Sequence, residues 1–134
     1  MIYEDLLKAL RTVLVTVPGL PTERRWLNTT ATTPANSPFV EDDFVNLDSE
    51  PAECGPTAMR RCEATYRVVV GVPANTDAHA ALKIAGAIED TFAAMQITIA
   101  GNPVEVLSTR SGPAMKEPTW FRVPVSVSIT VDHS

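Results

Sequence analysis

The chain has 134 residues, 45% of them hydrophobic and 20% charged, with a formal net charge of −5. That length suits a single domain over residues 1–134 with a core of its own, and the acidic balance excludes a nucleic-acid binder that works by neutralising phosphates. No segment is long and apolar enough to span a bilayer, and Glu4 and Asp5 stand where a signal peptide would be basic, so an intracellular protein is expected.

The first element is a helix. In "MIYEDLLKALRTVLVTVPG", Ile2, Leu6, Leu10, Val13, Leu14 and Val17 recur at three and four residues, which places them on one helical face. Glu4 and Asp5 favour its positive end, and Pro18-Gly19 stop it. Residues 20–61 read mainly as loop, because Pro34, Pro38, Pro51 and Pro56 lie among small polar residues. Short strands are possible within it at "RRWLNTT" and "FVEDDFVNL". "RCEATYRVVVGVP" is a strand, with Cys62, Ala64, Tyr66, Val68, Val70 and Val72 on one face.

A second helix is predicted over "NTDAHAALKIAGAIEDTFAAMQ", capped by Asn75 or Thr76 with Asp77 in the first turn. Its buried stripe is predicted as Leu82, Ala85, Ile88, Phe92 and Met95, with Ala81 and Ile84 at the margins. "QITIAGNPVEVLST" follows as a hairpin turning at Gly101-Asn102, and "RSGPAMKEPT" as a loop. The chain closes on "WFRVPVSVSITVDH", where apolar residues from Phe121 to Val131 alternate with polar ones. Pro124, lacking an N–H, fits an edge or a bulge better than a central strand. Together these elements predict an α+β fold: a mainly antiparallel β-sheet with two helices packed on one face, and long loops.

The chemistry-bearing residues are few. His79 and His133 are the only imidazoles, and neither has a nucleophile at a recognisable spacing. Cys54 and Cys62 fit no zinc or redox motif and read as free thiols. Glu41, Asp42, Asp43, Asp48, Glu50 and Glu53 form a stretch without a single Lys or Arg, so one segment carries the whole charge imbalance. Its spacing is not that of a calcium loop, and it reads as a solvated acidic loop over 39–53. Arg60-Arg61 and Arg24-Arg25 are basic pairs that read as solvated charges or as partners of that loop in the same or a neighbouring subunit. Trp26, Phe39, Phe44 and Trp120 are core residues or interface anchors. No catalytic residue, cofactor or metal is expected.

Taken in order, these segments resemble phage tail terminator proteins. The resemblance rests on the amphipathic first helix, "RRWLNTTATTPANSPFVEDDFV", "YRVVVGVPANTD", "AALKIAGAIEDTFAAM", the closing hairpin and the alternating last strand. It covers nearly the whole chain, with residues 46–61 matching no pattern. It implies a structural virion protein, made in the host cytoplasm, that forms a homo-oligomeric ring, usually a hexamer, on the head-proximal end of the tail tube. Such a ring contacts the tail tube protein and a neck or head-completion protein, and DNA passes through it without specific binding. The interface candidates are Trp26, Phe39, Glu41, Asp42, Asp43, Phe44, Asp48, Arg60, Arg61 and Trp120, with residues 39–53 on the lumen or the tube-facing surface. Another head–tail connector, tail-completion protein or tube subunit is the alternative reading. A small-molecule-binding domain is a more distant one.

Overall fold

The computed structural model describes residues 2–21, 23–25, 38–51, 60–74, 78–99, 101–117 and 120–133. Two long strands form its centre. Strand β3 (Arg60–Pro73) and strand β7 (Trp120–His133) pair antiparallel along their full length, from Arg60 opposite His133 to Pro73 opposite Trp120. On one side β3 pairs with β2 (Phe39–Pro51), whose start pairs in parallel with β1 (Glu23–Arg25). On the other side β7 pairs with β5 (Asn102–Ser111) and with the short β6 (Met115–Lys116); β5 pairs with β4 (Thr98–Ile99). The order across the sheet is β1-β2-β3-β7-β5-β4. Helix α1 (Ile2–Leu14) precedes the sheet and helix α2 (Ala78–Ala93) lies between β3 and β4 in the chain.

The period-2 pattern of the central strands decides which face is covered. Cys62, Ala64, Tyr66, Val68, Val70 and Val72 of β3 are buried, as are Val123, Val125, Val127, Ile129 and Val131 of β7. They meet Leu6, Leu10, Leu14 and Val17 from the first helical segment and Ala81, Ala85, Ile88 and Phe92 of α2 in one core. The fold is therefore α+β with both helices on one face, as the element order predicts. None of the described helices is long and apolar enough to cross a membrane.

Several local expectations change. The segment read as an acidic loop is ladder as far as Pro51, because β3 is long enough to template it residue by residue from Gly71 to Arg60. Helix α2 buries Ala81 in place of Leu82, which is 52% exposed. The spacing 81, 85, 88, 92 is a true helical stripe, and the small side chain lets the helix approach the sheet. Its proposed caps, Asn75, Thr76 and Asp77, lie outside the described residues. The hairpin turns one position earlier than predicted: Ile99 pairs with Asn102, and Gly101 supplies the left-handed φ of 83°. The loop before β7 contains β6.

Pro124 sits in a central strand, and the break between β5 and β6 explains why. The β5 ladder ends at Ser111 opposite Val125, and β6 resumes at Met115 opposite Arg122. Between them Gly112 donates its N–H to the Pro124 carbonyl at 2.8 Å. In an antiparallel pair a residue's N–H and C=O point to the same side. The donor that proline lacks is therefore missing where the neighbouring strand is leaving.

The two strands that flank the central pair, β2 and β5, carry a bulge at the same height. Val45 interrupts β2 between Phe44 and Asn46, and Leu107 interrupts β5 between Val106 and Ser108. The two bulges flank one ladder row, Asn46–Thr65–Ser128–Ser108. Bulges raise local twist and bend, so the sheet curls along that line while its central strands stay continuous.

Candidate functional site

The helix-free face of the sheet carries a dense set of charged side chains. Strand parity puts Phe39, Glu41 and Asp43 of β2 there, with Arg67, Val69 and Gly71 of β3 and Trp120, Arg122 and Pro124 of β7. Glu41 and Asp43 on this face are neutralised inside the chain. Arg122 reaches Glu41 across two strands at 2.9 Å and Glu117 at 3.2 Å. Arg67 holds Asp43 through two nitrogens, its Nε at 3.0 Å from Oδ1. That hydrogen bond is the main reason the Arg67 guanidinium binds its proton more tightly than usual.

Asp42 points the other way, into the core. Its carboxylate is buried, and Arg11 of α1 grips it with Nε at 2.8 Å and Nη2 at 3.1 Å. The Tyr66 hydroxyl donates a third bond to it at 2.6 Å. Burial, reinforced by the Asp42 charge, pushes the Tyr66 phenol far above its ordinary value. Three donors on one buried carboxylate fit the rule that a buried charge needs full compensation. The cluster ties the first helix to β2.

The aromatic candidates also serve the fold. Phe39 and Trp120 are buried edge to face at 4.8 Å on the helix-free side. The Arg122 guanidinium covers the Phe39 ring at 5.3 Å. Gly71 lies beneath that ring so closely that a Cβ there would fall 2.3 Å from two ring carbons. Phe44 is half-buried on the core side, 5.5 Å from the Tyr66 ring. Trp26 lies outside the described residues.

Arg60 and Arg61 do not reach Glu41, Asp42 or Asp43. Arg60 bonds the Ser49 hydroxyl and carbonyl, and Arg61 pairs with Asp132 at 3.1 Å. The bases that do reach those acids are Arg11, Arg67 and Arg122. Arg67 and Arg122 were detectable as charges on the polar faces of two predicted strands; for Arg11 no local signal exists.

Carboxylates without an ion pair among the described residues gather farther along the same face. Asp48 stands opposite Glu63, Glu63 opposite Thr130, and Thr130 opposite Glu105, in one row across four strands. Asp48, Glu63 and Glu105 are all exposed. Beside them a cleft of about 170 Å³ is lined by Arg61, Asn102, Glu105, Thr130 and Asp132. That is below the roughly 300 Å³ of a small-molecule pocket. Among the described residues no group of three or more His, Cys, Asp and Glu is placed to hold a metal. His79 is exposed in the first turn of α2, and burial pushes the Cys62 thiol up, away from nucleophilic use.

A family model described as phage tail terminator protein matches residues 2–129. Of the solved structures, 26 chains match significantly, so the fold recurs. One of them is 20% identical, with a TM-score of 0.70 over 96% of this chain and 94% of that chain. Identity that low is a statement about fold. No curated protein matches the chain significantly.

Proposed function

From the premise that the chain belongs to the phage tail terminator family, and is thus a structural component of the phage tail, we propose that its copies close into a hexameric ring. The ring sits on the head-proximal end of the tail tube. It stops addition of tube subunits and offers its other surface to a neck or head-completion protein. DNA passes through its centre without specific binding. The observation that carries this reading is the family match over residues 2–129, which takes in every described helix and six of the strands whole.

The charge distribution supports a repelling channel rather than a binding groove. Glu41, Asp42 and Asp43 are spent on Arg122, Arg11 and Arg67, so they cannot furnish it. Among the described residues of the helix-free face, Asp48, Glu63 and Glu105 carry no ion pair and stand in a row. We assign that face to the lumen, where like charge keeps DNA mobile. The helices then face outward.

Cryo-electron microscopy of the virion neck tests the proposal. The expected density is one ring of this protein between tube and neck, its helices on the outer rim. Copies stacked along the tube would make it a tube subunit instead, and helices lining the channel would refute the lumen assignment.

A further inference from the structure

Among the described residues the pairing pattern leaves two edges without a strand partner, on opposite sides of the sheet. Strand β1 covers β2 only from Phe39 to Glu41, so among the described residues the outer edge of β2 from Asp42 to Pro51 has no strand partner. At about 3.3 Å per residue that edge is some ~30 Å long. On the far side β4 covers β5 only at Asn102 and Pro103, and the Val104 N–H is taken by the Ile97 carbonyl. Beyond that, the stretch Glu105–Ser111 has no further strand partner on this side among the described residues.

Each open edge presents apolar surface at its bulge. Val45 on β2 is 56% exposed, with Leu47 at 41% beside it; Leu107 on β5 is 55% exposed. A sheet that stays solitary blunts long edges with charged residues, prolines, bulges or a covering segment, and each edge here has one bulge. Here a proline appears on β2 only at its last position, and no lysine appears on either edge strand.

The edges are complementary in charge and direction. Asp48 on β2 and Arg110 on β5 are both exposed, both on the helix-free face, and neither has an ion pair among the described residues. Three antiparallel steps separate β2 from β5, so the two strands run in opposite directions. Set beside each other, β2 of one copy and β5 of the next make a further antiparallel pair.

Resting on the ring reading, we infer that neighbouring subunits join through these edges, β2 of each protomer pairing with β5 of the next. Asp48 meets Arg110 across the seam, which sets Leu47–Pro51 opposite Ser111–Leu107, and Leu47 and Leu107 lose their exposure there. The contact is heterologous and closes on itself. Main-chain hydrogen bonds supply affinity and the alternating side chains fix register. The helix-free faces then form one continuous band around the channel.

The test is a charge swap. Asp48→Arg, Arg110→Asp and the double variant are compared with the wild-type protein by native mass spectrometry and negative-stain microscopy, with and without tail tubes. Both sites are exposed, and circular dichroism checks that each variant folds. Each single reversal is expected to lower the ring fraction about tenfold or more, and the double to restore it. Undiminished rings in both singles, or a folded double that stays dissociated, overturn the edge pairing and leave the ring reading standing. Absence of rings from the wild-type protein even on tubes overturns the ring reading itself.

Discussion

Asp42 is an interface candidate in sequence whose side chain the fold engages in its own interior. It stands between two acids that face the other side of the sheet, yet it is the one that closes a buried cluster with Arg11 and Tyr66. Asp42→Ala leaves the Arg11 guanidinium without its counter-ion and the Tyr66 hydroxyl without its acceptor. A loss of about 3 kcal/mol is expected, read as a lowered denaturant midpoint. Arg61→Ala, which removes an exposed pair with Asp132, is expected to leave the midpoint unchanged. Tyr66 also gives the protein an alkaline limit. Its folded pKa is raised above the ordinary phenol value of 10.0. Below that pH both states hold the proton and this residue contributes no pH dependence. Above it the unfolded phenol ionises while the folded one does not, so stability falls as pH rises, by up to about 1.4 kcal/mol per unit. Urea titrations between pH 9 and 11 should show that slope in the wild-type protein and a shallower one in Tyr66→Phe.

Among elements, β2 is the one whose character depends most on its neighbour. Its acids and terminal proline are poor strand formers, and only the full-length ladder with β3 makes it extended. Its seat includes the close approach of the Phe39 ring to Gly71. Gly71→Ala is expected to cost about 1–3 kcal/mol by overpacking, and adding Phe39→Leu should recover part of that loss, measured as melting temperature in a double-mutant cycle. The elements readable in sequence were those whose burial follows a local period: the alternating β3 and β7 and the face of α1. Helix α2 was readable as a helix, but its stripe was not, because alanines make nearly every face apolar and the sheet's need for a small residue selects Ala81 over Leu82. The charge pairs were not readable at all. Arg122 and Glu41 are 81 positions apart, and only the register of three strands brings them together. The same register places the two bulges on one row, which no single segment reveals.

At the scale of the whole molecule, the chain is a curled sheet with its helices on one side, paired charges and a residual acidic row on the other, and, among the described residues, edges without a strand partner at both flanks. That distribution suits a part that works by closing with copies of itself. The account stands or falls on whether such closure ends tube growth. The most direct measurement is the length distribution of tail tubes polymerised from purified tube protein, imaged with and without this protein. With it, tubes should stop elongating, and each arrested end should bear a single ring. An unchanged length distribution, or incorporation of the protein along the tube wall, would contradict the account.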